Sequence, residues 1–367
     1  MKIILPYVNF QGRDFFDDVI VGGIEWYARK IYESYDNVQV VQLDIQGEID
    51  EQRRTEACNK ISAISNQHKA DVIISNWLTG VTTGTKMAEM PVPVMQVDHY
   101  NSPLMSCLGG MQKLKDKNHS VFLVNPYQKN YYDQFATRLK IKLINFDGYV
   151  EPAYIEGEKP KIIENPKYDC TTIGRCDPNY KMPYRIKELL KKTDYNTLLM
   201  TNKISNKDMF PENFDYYEKN KHWDGCLYDL PHDKVMENLS NSRIYFMTWA
   251  DETWGITGLE ALSRGVPLIL NTKFETDGRP SKKVGYKEPS HASNLIAIDK
   301  SHFININHNS TDDLIAAIEE LWYIDRHEIQ NKTWEKYTQK RWKKIMDNAI
   351  DKTIENFKGR SSIVEFV

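Results

Sequence analysis

The chain has 367 residues, of which 41% are hydrophobic, 27% charged and 11% aromatic, and its formal net charge is -3. That length exceeds what one hydrophobic core usually supports, so two domains of roughly 100 to 200 residues are expected, and the apolar content excludes an intrinsically disordered chain. The near-neutral charge excludes a uniformly basic polyanion binder, leaving room only for a local basic strip. Five cysteines (Cys58, Cys107, Cys170, Cys176, Cys226) are widely spaced and form no CxxC pair. They argue against a disulfide framework and a zinc site, and suit a reducing cytoplasm. The apolar run at the N-terminus is too short for a signal peptide, and no window reaches the roughly 20 apolar residues of a membrane span. A soluble, cytoplasmic protein without a transmembrane segment is expected.

Met1 to Tyr7 reads as a buried strand, followed by a polar loop. Gly22 and Gly23 then open a segment with Ile24, Tyr27, Ala28 and Ile31 at helical spacing. Next come a β-branched strand from Val38 to Ile45, a helix to about Gln67, and strands at Ala70 to Asn76, Pro91 to His99, Ser120 to Asn125 and Ile141 to Phe146. The stretch from Gly148 to Pro166, rich in Pro, Glu, Lys and Gly, reads as an interdomain linker. A second alternating series follows, with strands at Cys170 to Arg175, Thr197 to Asn202, Arg243 to Trp249, Val266 to Asn271 and Leu295 to Asp299. Two helices close the chain, from about Thr311 to Ile324 and from about Thr333 to Asn356. Such alternation predicts an α/β protein of two Rossmann-like, doubly wound parallel-sheet lobes, with ligands bound at the carboxyl ends of the strands in an interlobe cleft. The expected division is residues 1–155, 156–335 and a closing helix over 336–367 that crosses back to the first lobe.

The stretch ADETWGITGLEALSRGVPLILN carries the chemistry. Glu252 follows an apolar strand, Gly255 and Gly258 lie in the next turn, and Glu260 sits near the start of the following helix. A glycine-bearing turn at a helix N-terminus offers free backbone N–H groups and a positive dipole end, suited to a diphosphate or to sugar hydroxyls. From spacing alone, a packing turn with two solvated acids fits equally well.

This stretch resembles the E-x7-E motif of retaining GT-B glycosyltransferases: Glu252, Gly255, then Leu259-Glu260-Ala261, Gly265 and Pro267. The resemblance implies that Glu252 contacts the donor sugar, Glu260 holds the donor ribose hydroxyls, and the amides of Gly255, Ile256, Thr257 and Gly258 meet sugar and phosphate. VGGIEWYARKI resembles the family's glycine turn after the first strand, so Gly22 and Gly23 are expected to approach the donor phosphates. TTIGRCDPNYK resembles the start of the second lobe, where Arg175 and Lys181 would neutralise the diphosphate, with Lys187 as the substitute for Lys181. QVDHYNSP places His99, and Asp98 beside it, where the family often carries a His near the reacting sugar. Pro231 to Phe246 resembles the helix before the motif strand, with Gly225 to Tyr228 as a base-binding loop. The catalytic candidates are therefore Glu252, His99 and Arg175. The family implies a nucleotide-sugar donor, UDP-linked in the usual case, retention of anomeric configuration, and no metal or other cofactor.

The acceptor is less legible. Size and a Lys-, Asn-, Ile- and Tyr-rich composition resemble bacteriophage DNA glycosyltransferases, which implies duplex DNA containing hydroxymethylcytosine as partner, in the host cytoplasm. The clusters Lys340, Arg341, Lys343, Lys344 and Arg279, Lys282, Lys283, Lys287 are candidates for phosphate contact; solvated faces explain each equally well. The alternatives are a transferase building a cell-surface polysaccharide or lipid-linked glycan, and a nucleotide-sugar epimerase or noncatalytic GT-B protein.

Overall fold

The computed structural model describes residues 1–8, 14–16, 23–43, 51–76, 81–99, 105–174, 193–201, 225–247, 254–270, 303–305 and 311–364. The chain divides into two units, Met1–Ala153 with Lys340–Val367, and Tyr154–Gln339.

The first unit is built on β1 (Ile3–Val8), β2 (Val38–Leu43), β3 (Val72–Ser75), β4 (Val94–Asp98), β5 (Ser120–Leu123) and β6 (Gly148–Tyr149). All pair in parallel, in the order β2-β1-β3-β4-β5-β6. Every residue of β1, β3, β4 and β5 is buried, which is why these strands read as continuous apolar runs rather than as alternating ones. Between them run α1 (Gly23–Ser34), α2 (Glu51–His68), α3 (Val81–Met87), α4 (Met105–Asp116) and α5 (Pro126–Leu139). A Cβ on Gly84 of α3 would stand 2.1 Å from Gly110 Cα of α4, so these two helices meet backbone to backbone. Ile141 to Phe146, expected as a strand, is not one: Ile141 and Leu143 are exposed, and only Ile144 is fully buried. The sheet edge is β6 instead. Asp147 sets it beside β5 by accepting from Val121 N at 2.8 Å and pairing with Lys115 at 2.7 Å.

The second unit holds β7 (Tyr168–Ile173), β8 (Thr197–Thr201), β9 (Gly225–Tyr228), β10 (Ser242–Met247), β11 (Leu268–Leu270) and β12 (Phe303–Asn305), parallel throughout and ordered β12-β11-β10-β7-β8-β9. Its helices are α6 (His232–Ser240), α7 (Ile256–Leu262), α8 (Thr311–Leu321) and α9 (Arg326–Lys336). Leu314 and Ile318 of α8 close over Cys170, Leu199, Ile244 and Ile269 of the sheet. The two parallel sheets bear out the Rossmann-like α/β reading. The strand expected at Leu295 to Asp299 lies outside the described residues, and β12 borders β11.

The closing helix expected from Thr333 to Asn356 is two helices, α9 and α10 (Gln339–Val364). Tyr337 breaks the run at φ -101°, ψ 56°, with its ring buried, its N–H given to Thr333 O and its carbonyl accepting from Ile155 N at 2.9 Å. In the first unit, α10 buries Trp342, whose Nε1 donates to Glu151 O at 2.7 Å, and presents Met346 Sδ to the Tyr27 hydroxyl of α1 at 3.1 Å. Among the described residues, no helix is long and apolar enough to cross a membrane.

Candidate functional site

The second unit brings Gly255, Ile256, Thr257, Gly258 and Glu260 together on one turn and helix. β10 is a buried strand at the centre of its sheet, and the chain re-emerges at Trp254 and Gly255. Gly255 is the N-cap of α7 at φ 79°, ψ 64°, a left-handed conformation costing a residue with a Cβ about 1–2 kcal/mol. It has no side chain to cap the helix; its carbonyl accepts from Gly258 N at 3.0 Å, while among the described residues no side chain accepts from the amides of Ile256 and Thr257. The turn therefore presents backbone donors at the positive end of a helix. Thr257 is held from behind, since the buried Tyr245 of β10 donates its hydroxyl to Thr257 Oγ1 at 2.8 Å.

Glu260 lies one turn further on, with Oε1 2.8 Å from His232 Nε2. A carboxylate only accepts, so this contact places the imidazole proton on Nε2. Oε2 takes no protein hydrogen bond among the described residues. Sequence reasoning missed His232, whose only signal is a His directly after Pro231 at a helix start. Arg264 ties α6 to α7 by donating to Met236 O at 3.2 Å and to Glu260 O at 3.2 Å; burial lowers its pKa, against the opposing pull of Glu260.

Other motif residues are structural. Trp254 is buried and meets the Tyr337 ring edge-on at 5.8 Å. Gly265 adopts φ 68° where α7 ends, and a Cβ there would fall 2.3 Å from Arg326 O. The Arg326 guanidinium donates to Gly265 O, Ile163 O and Ser242 O at 2.9, 2.7 and 3.1 Å. Burial, aided by neighbouring Arg243, pulls its pKa down to about 10. Gly225 to Tyr228, expected as a loop, is edge strand β9, paired residue by residue with β8. Glu252, Arg175, Lys181, Lys187 and Gly22 lie outside the described residues, as does the cluster Arg279, Lys282, Lys283, Lys287.

In the first unit, Gly23 is the exposed first residue of α1. His99 follows β4, with its ring edge-on to Tyr27 at 4.9 Å. Part of the residue reaches the surface while Nε2 is enclosed, and burial pushes its pKa down to about 3, so the ring is neutral near pH 7. Asp98 is structural: it accepts from the Tyr132 hydroxyl through Oδ2, and its carbonyl accepts from Gln128 Nε2 at 3.2 Å, both on α5. In the basic cluster on α10, Arg341 forms a two-pronged pair with Glu151 at 2.6 Å. Lys343 sits 3.7 Å over the Tyr35 ring and 3.7 Å from Asp347. Lys340 and Lys344 are exposed.

No protein-family model matches the chain, and no curated protein matches it in sequence. Solved structures do. AviGT4, a glycosyltransferase involved in avilamycin A biosynthesis, is similar over 96% of this chain and 98% of its own, with a TM-score of 0.64 at 11% identity. A UDP-forming α,α-trehalose-phosphate synthase from Burkholderia vietnamiensis is similar over 96% of this chain and 100% of its own, with a TM-score of 0.63 at 10% identity. The lipopolysaccharide outer core galactosyltransferase WaaB is similar over 95% and 99%, with a TM-score of 0.58 at 13% identity. Likeness at such low identity, spanning nearly the whole of each chain, defines the fold as GT-B.

Proposed function

We propose that the chain is a glycosyltransferase that takes a sugar from a nucleotide-sugar donor, UDP-linked, with retention and without a metal, and that the nucleotide binds the second unit. The observation that carries this reading is the turn at Gly255, which offers amide donors beside a carboxylate whose second oxygen is unengaged among the described residues. Glycosyl transfer builds negative charge on a leaving diphosphate while the sugar becomes oxocarbenium-like. In this proposal the Ile256 and Thr257 amides, with Arg175 and Lys181, offset that charge, Glu260 Oε2 takes the ribose hydroxyls, and Glu252 contacts the sugar. The first unit takes the acceptor, with His99 as a neutral hydrogen-bonding group; a pKa of about 3 makes it too weak a base to activate a hydroxyl.

For the acceptor, the sequence reading is hydroxymethylcytosine in duplex DNA. A glycan acceptor is the second reading, and the pairing of Arg341 with Glu151 favours it by removing a cation from the DNA-facing cluster. Incubation with a panel of nucleotide sugars and either hydroxymethylated DNA, unmodified DNA or an oligosaccharide set, read by mass, separates the two. Transfer that survives intact in both Glu252→Gln and Arg175→Ala sinks the site; loss of one oxyanion-type donor is expected to cost about 3 kcal/mol in the barrier.

A further inference from the structure

We propose that Asn76, at the carboxyl end of β3, receives a sugar hydroxyl in a neutral polyol subsite of the first unit. The residue is 5% exposed, and among the described residues neither Oδ1 nor Nδ2 has a hydrogen-bond partner. Buried polar groups are almost always satisfied, so an amide with both ends unmet marks a place where a ligand or solvent completes the bonding.

Register locates the subsite. Ser75 stands opposite Gln96, and Asp98 opposite Leu123. Alternation therefore puts Asn76 on the face shared with Val97 and His99, away from Ser75, Gln96 and Asp98. The pairing of Ile4 with Ile73 brings Tyr7 level with Asn76 on the other side. That face carries α1, whose Glu25 accepts from the Tyr7 hydroxyl at 3.3 Å and whose Tyr27 backs the His99 ring. The groups that register places there suit an uncharged ligand: the amide is neutral, His99 is neutral near pH 7, and the Tyr7 hydroxyl is engaged by Glu25. A primary amide donates and accepts side by side, which matches a hydroxyl or a vicinal diol, both of which do the same. The ligand class that fits is an uncharged, hydroxyl-rich one, a sugar ring rather than a phosphate.

This inference rests on the glycosyltransferase reading, and the hydroxyl comes either from the donor sugar or from the acceptor. Wild type and Asn76→Ala are titrated calorimetrically with UDP and with UDP-glucose, UDP-galactose and UDP-N-acetylglucosamine. Both are also examined by saturation-transfer NMR with the matching methyl glycosides. A donor hydroxyl predicts that Asn76→Ala binds the accepted UDP-sugar about tenfold more weakly while its affinity for UDP is unchanged. An acceptor hydroxyl predicts unchanged UDP-sugar affinity and loss of the methyl glycoside signal. In either case the Tm is unchanged or raised, because no protein hydrogen bond is deleted. If wild type binds a UDP-sugar and the variant matches it in both arms, the inference is overturned and the nucleotide-sugar reading stands. If wild type binds no UDP compound but loses a methyl glycoside signal on substitution, the subsite stands and that reading falls. Binding of none of the probes by wild type overturns both.

Discussion

Side chains that the motif does not contain hold the candidate site in place. His232 engages one oxygen of Glu260 and fixes the direction of the other, so on the proposed reading it is a positioning residue for ribose recognition. His232→Ala is expected to raise the donor KM roughly tenfold with little change in kcat, about 1.5 kcal/mol, the lower end for a hydrogen bond to a charged group. Preference for UDP over 2′,3′-dideoxy-UDP is expected to shrink by the same factor, which a purely structural role leaves alone. Competition binding with the two nucleotides reads it. His99 titrates differently from an ordinary histidine. Its pKa falls from 6.5 to about 3 on folding, so between those values the unfolded chain binds the extra proton and stability drops as pH falls. His99→Gln removes that term. The stability gap between wild type and variant is expected to move in the variant's favour from pH 6.5 down to pH 4, with no such trend above pH 7, as measured by urea unfolding at each pH. Neither the low pKa of His99, which the sequence marked only as a His near the reacting sugar, nor the contact of His232 with Glu260 was visible in the sequence.

Elements were legible where burial on both faces forced an unbroken apolar run. β1, β3, β4, β5 and β10 fall within a few residues of where composition places them. Ile141 to Phe146 has the same composition but no place in the sheet, because Asp147 anchors the edge after it rather than within it. The split between α9 and α10 was hidden for a similar reason: Tyr337 continues the helical apolar spacing, while its buried ring and its bond from Ile155 pull it out of helical conformation. Gly265 makes the opposite point. It reads as one letter of a donor motif, yet its geometry is that of a left-handed residue ending α7 with the Arg326 backbone against it. Gly265→Ala is expected to destabilise the second unit by about 2–4 kcal/mol, from left-handed strain plus a backbone collision. Chemical denaturation followed by far-UV circular dichroism measures that loss.

At the scale of the whole molecule, the two-sheet architecture was readable because βα alternation restarts after a Pro- and Gly-rich stretch, and chain order dictates parallel pairing once helices intervene. Likeness to GT-B structures along nearly the whole chain at 10–13% identity says that this pattern, rather than particular residues, is what the fold shares. It assigns no substrate to either unit, and the proposed assignment rests on how the units differ. The second has a glycine N-cap that leaves the first amides of α7 without a side-chain acceptor among the described residues; in the first, the neutral amide of Asn76 and the neutral His99 suit a diphosphate less well. UDP is therefore expected to protect the amides of β10 and α7 from hydrogen exchange while leaving β1, β3 and β4 unchanged. At a concentration of 100 Kd, the second unit gains about 2.7 kcal/mol, because ligand that binds only the folded form stabilises by mass action. Exchange measured by mass spectrometry with and without UDP tests this directly: protection confined to the first unit reverses the assignment of donor and acceptor.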